Sequence, residues 1–207
     1  GYLPRLKKQG FTGKVYGTAP TIAIAQIILM DSAKIHEEEA KKANKEKYAK
    51  HNPALPFYTI TEAEKAIAHF EIVELDKWKP LSEHISTRFQ YNGHIIGATF
   101  IEIDTNGKRF VFSGDVGRND DYLLDDPKKP EWADYLFIES TYGDKKHPEQ
   151  DVEKVLIELV NQTIQKQGNL IIPSFAVERL QTLMYVLWKL YETKKIPNIP
   201  IFIDSPM

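Results

Sequence analysis

Three short glycine-containing signatures between residues 93 and 144 constrain this chain more than any other feature. They read GHIIGAT (residues 93–99), FSGDVGR (residues 112–118) and ESTYGD (residues 139–144). Each follows a run of apolar and β-branched residues, so His94, Asp115 and Glu139 are predicted to lie in loops at the ends of three strands. Loops supported by a rigid sheet are common positions for metal-binding and catalytic residues. The pattern therefore predicts a site built on three neighbouring loops.

Two of these residues also have a purely structural interpretation. His94 could be a core histidine with satisfied hydrogen bonds, and Asp115 could cap the glycine turn in which it lies. A carboxylate can equally bridge two metal ions, which an amide cannot do. The common order and the flanking glycines of the three signatures favour a site over three unrelated turns.

The first two thirds of the chain are predicted to contain both helices and strands. Asn106–Gly107 between two apolar runs is typical of a β-hairpin. One helix is predicted to begin with Thr18 or Ala19 near its N-cap, and a second to be capped by Asp31 or Ser32 and to continue to Lys50. A capping box of Thr61 and Glu64 indicates a third, short helix. The predicted strands cover residues 14–18, 70–75, 84–91, 98–104, 108–114 and 134–140.

The last third of the chain alternates between helical and strand periodicity. Helices are predicted over residues 152–164 and 176–191, and strands over residues 169–175 and 199–204. Such alternation is typical of a parallel αβ unit.

Composition excludes several classes of site and partner. The chain contains no cysteine, so disulfides and thiolate metal sites are excluded and any metal must be bound by His, Asp or Glu. A net charge of -2 argues against a basic surface for nucleic acid, although a local basic groove stays open. No apolar run approaches the roughly 20 residues that cross a bilayer. We therefore expect no membrane segment and a cytoplasmic protein.

The three signatures resemble the metallo-β-lactamase superfamily in its β-CASP branch of RNA-processing nucleases. GHIIGAT is similar to the third metal motif of that branch, SGDVGR to the fourth, and ESTYGD to the acidic motif that introduces the β-CASP domain. PSFAVERLQ (residues 173–181) and FIDSPM (residues 202–207) resemble early β-CASP segments. The resemblance extends over nearly the whole chain.

The resemblance implies an α/β fold in two parts. Residues 1–144 would form a partial αββα metallo-β-lactamase domain without its N-terminal part, and residues 145–207 would begin a β-CASP αβ domain. It further implies a zinc-dependent phosphodiester hydrolase that acts on RNA and binds two Zn²⁺ ions in the full-length protein. His94 would bind one ion, Asp115 would bridge both, and Glu139 would orient a neighbouring histidine.

The chain also departs from the family pattern. An HxHxDH motif precedes the GYLP-like segment in family members, and neither this motif nor the later family histidines occur in this sequence. We therefore expect a fragment that lacks N- and C-terminal parts of its own polypeptide. Alone, it is expected to bind zinc poorly and to be inactive. It should also expose apolar sheet surface, which favours aggregation or a homo-oligomer.

The remaining histidines match no family position, and we interpret them as surface or local structural residues. They are His36, His51, His69, His84 and His147. His147, close behind ESTYGD, is also a candidate contact to substrate.

Two other functions stay open at this point. One is a non-catalytic scaffold or binding module of the same fold, against which the intact His94 and Asp115 argue for the parent protein. The other is a metal-dependent hydrolase of small esters or thioesters, against which the ESTYGD signature and the second αβ unit argue.

Overall fold

The computed structural model describes residues 1–146 and 150–205. Within these residues, five helices and seven strands confirm the expected mixed α/β fold. The helices are α1 (Leu3–Lys8), α2 (Ala19–Glu46), α3 (Ile60–Ile67), α4 (Val152–Gln165) and α5 (Arg179–Glu192). The strands are β1 (Val15–Gly17), β2 (Phe70–Ile72), β3 (Trp78–Pro80), β4 (Ile85–Tyr91), β5 (Thr99–Thr105), β6 (Lys108–Phe112) and β7 (Tyr135–Phe137).

The strands form two sheets. β1 and β2 pair in parallel, and the larger sheet has the strand order β3-β4-β5-β6-β7. β3 is antiparallel to β4, with Trp78 opposite Arg88. β7 is parallel to β6, with Phe110 opposite Tyr135. Because strands that are parallel end at the same edge of a sheet, the loops after β6 and β7 begin side by side.

The predicted hairpin is confirmed. β5 and β6 are neighbours in the sheet, and Asn106 and Gly107 lie between them. Their φ angles of 50° and 72° lie in the left-handed region. A two-residue turn of this kind matches the twist of the strands that it joins.

The chain divides into two compact units, and the first comprises Gly1–Tyr91 and Ile101–Arg109. In this unit α3 packs against both α1 and α2. Their buried cluster consists of Leu29, Ala33, Tyr58 and Ala63. The small alanines allow the helices to approach closely around the one large buried ring of Tyr58.

Helix α2 is continuous over 28 residues, so the predicted break at Asp31 or Ser32 is wrong. Of the two N-cap candidates, Thr18 and Ala19, the structure selects Thr18, whose side chain accepts a hydrogen bond from the Thr21 amide. Neither glycine nor proline occurs from Thr21 to Glu46, and the polar residues tolerated inside a helix cost only tenths of a kcal/mol each. The helix ends instead at Lys47, which adopts the left-handed conformation typical of a C-terminal cap.

Helix α3 begins two residues before the predicted position. The side chain of Thr59 accepts a hydrogen bond from the Glu62 amide, and the Glu62 carboxylate accepts one from the Thr59 amide. Thr59–Glu62 and Thr61–Glu64 have the same capping-box spacing, so the local pattern does not distinguish them. The earlier start places Ile60 against the buried cluster of the first unit, which favours it.

A buried carboxylate lies on β5, the middle strand of the larger sheet. Glu102 of β5 is fully buried, and its Oε2 accepts hydrogen bonds from Arg88 Nε at 2.5 Å and Gln90 Nε2 at 2.6 Å. The carbonyl oxygen of Glu102 also accepts a hydrogen bond from Thr87 Oγ1 at 2.9 Å. A buried charge requires such partners, since an unpaired one would cost several kcal/mol.

The second compact unit comprises Asn92–Phe100 and the described residues from Phe110 onwards. Its core forms where α4 packs against α5. The buried residues of this core are Leu156, Val160, Val186, Leu187, Leu190 and Ile196. The side chain of Asp151 caps the start of α4 by accepting a hydrogen bond from the Lys154 amide.

The two strands predicted in the last third of the chain are wrong for the residues that the structure describes. Residues 169–175 and 199–204 are irregular, and α5 begins at Arg179 instead of residue 176. Ile171, Phe175 and Phe202 are 84%, 82% and 90% exposed. A strand forms only when a neighbour accepts its backbone hydrogen bonds, and no described strand pairs with either segment.

Across residues 1–146 and 150–205, no helix has both the length and the apolar character that crossing a membrane requires.

Glu153 links α4 to α5 and predicts a specific pH dependence of stability. Its carboxylate accepts hydrogen bonds from Lys189 Nζ at 2.8 Å and Lys195 Nζ at 3.0 Å, which lower the pKa of Glu153. A lowered folded-state pKa contributes stability above the unfolded pKa of about 4.3, and this is lost as pH falls through the folded value. We expect Glu153→Gln to reduce the loss of stability between about pH 5 and pH 3, measured by urea unfolding.

The matched control for this experiment is Glu158→Gln, because Glu158 is an exposed glutamate of the same helix. Its pH profile of unfolding should match that of the unsubstituted chain. A Glu153→Gln variant with an unchanged profile would contradict the role of the two lysine contacts.

Candidate functional site

The structure places the three predicted residues in three loops of the second unit. His94 follows β4 by three residues, Asp115 follows β6 by three, and Glu139 follows β7 by two. All three therefore lie beyond the carboxyl ends of strands, as the sequence predicts. Each loop is connected to a neighbouring loop by hydrogen bonds.

His94 and Asp115 lie side by side. The His94 Nε2 and Asp115 Oδ2 atoms are 3.8 Å apart, and the two side chains are 43% and 73% exposed. Zinc binds nitrogen and oxygen ligands at roughly 2.0–2.2 Å, which places two tetrahedral ligand atoms about 3.4 Å apart. Small side-chain rotations would bring the two atoms to that separation. This pair therefore fits two ligand positions of a zinc ion.

Glu139 holds the main chain of the Asp115 loop. Its Oε1 accepts a hydrogen bond from the Val116 amide at 2.6 Å, and its Oε2 accepts one from Thr141 Oγ1 at 2.7 Å. The Thr141 hydroxyl, followed by the Val116 amide and the nearby His94, lowers the pKa of the Glu139 carboxyl. Glu139 is consequently an anionic anchor that interacts with the loop carrying Asp115.

No group of three or more His, Asp or Glu side chains that could hold a metal ion occurs in residues 1–146 and 150–205. The described part of the chain supplies two candidate ligands, His94 and Asp115, and a catalytic zinc normally has three protein ligands. The donor set fits one side of a metal site.

Two polar residues that connect these loops were not among the predicted site residues. Asn92 is 2% exposed and contacts both the His94 loop and the Asp115 loop. Ser113 is buried and accepts a hydrogen bond at Oγ from the Glu139 amide at 3.0 Å. The only local signal was a polar residue placed where a strand meets a glycine turn, which is common in turns of any function.

The main chains of two loops meet at Gly93 and Gly117. A Cβ atom on Gly117 would lie 2.0 Å from the carbonyl carbon and oxygen of Gly93 and 2.6 Å from the His94 nitrogen. Gly93 itself has φ of 70°, in the left-handed region that favours glycine. The absence of a side chain at Gly117 therefore allows the two main chains to touch.

The other histidines that the structure describes belong to the first unit. The His36 ring packs edge-on against Tyr58, and His69 Nδ1 is 3.0 Å from the Gly13 carbonyl oxygen. Both residues belong to the first unit and have local structural contacts. His147, the candidate substrate contact, lies outside the described residues.

The contact between Gly93 and Gly117 predicts a strong effect of one methyl group. Gly117→Ala should displace the loop that carries His94 and reduce the free energy of unfolding by about 1–3 kcal/mol, as overpacking does. Gly168→Ala is the control, because the nearest atom to a Cβ there is 4.0 Å away. Chemical denaturation measures both variants, and equal stabilities would contradict the close approach.

Three relatives illustrate what the chain is similar to. It is 33% identical to Ribonuclease TTHA0252 of Thermus thermophilus, over 100% of this chain and 44% of the relative. It is 30% identical to Endoribonuclease YSH1 of Candida glabrata, over 97% of this chain and 26% of the relative. It is 28% identical to the RNase J-like protein of Methanocaldococcus jannaschii, over 94% of this chain and 42% of the relative.

The chain thus spans less than half the length of these curated relatives. No protein-family model matches it. The similarity nevertheless covers almost every residue, including the three loops with His94, Asp115 and Glu139. Over its whole length the chain is thus similar to RNA nucleases of the β-CASP branch of the metallo-β-lactamase superfamily.

Proposed function

We propose that this chain is part of a metal-dependent phosphodiester hydrolase that acts on RNA. The observation that carries the proposal is the adjacent pair of His94 and Asp115, 3.8 Å apart and open to solvent at the ends of two strands. Relatives named as ribonucleases and endoribonucleases match the chain over nearly its whole length, which supports RNA as the substrate.

The proposed metal is zinc, with two ions in the complete site. Imidazole and carboxylate are both zinc ligands, and the cysteine-free sequence leaves His, Asp and Glu as the donors. Bound zinc ions would activate water as a nucleophile and neutralise charge on the phosphate. His94 would bind one ion, and Asp115 would bridge both.

Glu139 has a different proposed role in the same site. Both of its carboxylate oxygens accept hydrogen bonds from the polypeptide, from Val116 and Thr141. The nearby His94 is also among the groups that lower the pKa of the Glu139 carboxyl. Glu139 would therefore fix the Asp115 loop and orient a neighbouring histidine, as groups around a metal site commonly do.

We propose the domain division that the resemblance implies. Residues 1–144 would be the metallo-β-lactamase part, and residues 145–207 would begin the β-CASP domain. The α4–α5 pair with its own buried cluster supports a separate packing centre after residue 145. The cytoplasm is the proposed compartment, in keeping with the absence of cysteine.

The hydrolase proposal predicts the effect of removing either candidate ligand from the longer polypeptide that contains this chain. His94→Ala and Asp115→Asn should each reduce zinc-dependent hydrolysis of single-stranded RNA by at least about 100-fold. His84→Ala is the control, because His84 is an exposed histidine of the first unit. Initial rates on a labelled RNA measure all three variants.

Two results would contradict the proposal. One is RNA hydrolysis that survives both ligand substitutions, and the other is an unsubstituted polypeptide that binds zinc and RNA without hydrolysing RNA. The second result would favour a non-catalytic binding module with the same fold.

The 207-residue chain by itself is predicted to bind zinc weakly. It contains no HxHxDH motif, and its described residues bring together only two candidate ligands. Metal analysis after dialysis should therefore find well under one zinc per chain. Two tightly held zinc ions per chain would overturn this prediction.

A further inference from the structure

Asn92 is the most buried polar residue in the loops of the candidate site. It follows β4 directly and precedes Gly93, and only 2% of its surface is exposed. A buried amide side chain needs hydrogen-bond partners for its two donor protons and for its oxygen. The hydrogen-bond partners of Asn92 therefore indicate its structural role.

The side chain of Asn92 connects the loops of the two candidate metal ligands. Its Nδ2 donates to the Ser113 carbonyl oxygen at 3.0 Å and to the Asp115 carbonyl oxygen at 2.9 Å. Its Oδ1 accepts from the His94 amide at 3.4 Å. One side chain thus contacts the backbone of both His94 and Asp115.

The main chain of Asn92 adds two contacts to the same loops. Its carbonyl oxygen accepts from the Gly117 amide at 2.8 Å, and its amide donates to the Ala98 carbonyl oxygen at 3.3 Å. The bond to Ala98 closes the GHIIGAT loop on itself, and the bond from Gly117 joins it to the Asp115 loop. The side chain and the main chain of Asn92 therefore act on the same pair of loops.

Only asparagine among side chains of this length combines two donors and one acceptor. Aspartate has the same shape but no donor, so it would face the Ser113 and Asp115 carbonyl oxygens with a negative charge. Alanine would remove the Nδ2 donor, so the Ser113 and Asp115 carbonyl oxygens would each lose a buried hydrogen bond. The requirement is specific to the amide and is not met by polarity alone.

Ser113 extends the connection to the third loop. Its amide donates to the Phe137 carbonyl oxygen at 2.9 Å, and its Oγ accepts from the Glu139 amide at 3.0 Å. The Ser113 carbonyl is the one that accepts from Asn92. The His94, Asp115 and Glu139 loops are therefore joined through two adjacent buried side chains.

We propose that Asn92 is a positioning residue that holds His94 and Asp115 together as a preformed ligand pair. The pair's role as metal ligands rests on the proposed function, whereas the positioning itself is a property of this chain. Asn92 acts through hydrogen bonds to the backbone of the two ligand loops.

The positioning is tested by NMR on the 207-residue chain without metal. In the unsubstituted chain we expect a nuclear Overhauser contact between the His94 ring and the Asp115 β-protons. Asn92→Asp should abolish that contact. Asn44→Asp is the matched control. In the first unit, the Asn44 side chain donates to the Ala54 carbonyl oxygen and accepts from the Ala54 amide, so it makes the same two kinds of hydrogen bond. The contact should persist in that variant.

A persistent His94–Asp115 contact in Asn92→Asp would overturn the proposal. If Asn92→Asp does not fold, hydrogen exchange in the unsubstituted chain tests the proposal instead. The Asn92 side-chain amide protons should exchange with solvent at least about 10-fold more slowly than those of an exposed asparagine, because opening is required first. Exchange at the rate of an exposed asparagine would also overturn the proposal.

Activity of the longer polypeptide separates positioning from general stability. Asn92→Asp should lower kcat by about 10–100-fold with KM changed by less than about twofold, because misplaced ligands affect the reaction more than RNA binding. Asn44→Asp should retain both constants. An Asn92→Asp variant with unchanged kcat would overturn the positioning role.

The two proposals fail in distinguishable ways. If the unsubstituted polypeptide does not hydrolyse RNA, the proposed function fails, while the NMR contact and the exchange rate still decide the role of Asn92. If hydrolysis is present and the contact survives in Asn92→Asp, the proposed function stands and the positioning role fails.

Discussion

The close contact between the Gly93 and Gly117 main chains is the constraint on which the candidate site depends. A Cβ at Gly117 would overlap the Gly93 carbonyl at 2.0 Å, so any side chain there would push the loops apart. The hydrogen bond from the Gly117 amide to Asn92 spans the same junction. Because hydrogen bonds weaken steeply with distance and angle, a shift of one ångström would affect every bond that links these loops.

In the first unit, the main constraint is a charged side chain that is buried in the sheet. Glu102 is fully buried, and Arg88 and Gln90 of the neighbouring strand both donate to it. A buried ion pair adds little net stability, because desolvation offsets most of its attraction. Its effect is on register, since a slip of one residue would turn Glu102 to the other face and leave the arginine unpaired. The charge therefore selects one alignment of strands.

Sequence reasoning succeeded where the determining interactions are local. The Asn106–Gly107 hairpin and the Thr18 cap depend on neighbours a few residues away, and both were predicted. The strands at residues 169–175 and 199–204 were predicted from apolar content, but a strand exists only with a partner, and pairing is not encoded locally. Asn92 was missed for the same reason, because its partners follow it by 21 and 23 residues.

The candidate ligands are exposed to solvent, whereas the residues that hold their loops are buried. His94 and Asp115 are 43% and 73% exposed, and solvent weakens any interaction that fixes an exposed side chain. Asn92 and Ser113 are buried, where hydrogen bonds are stronger and unmade ones are costly. The backbone beneath the exposed pair therefore contributes more to its rigidity than the exposed side-chain contacts do. This is why a motif of exposed His and Asp needs a buried amide at its base.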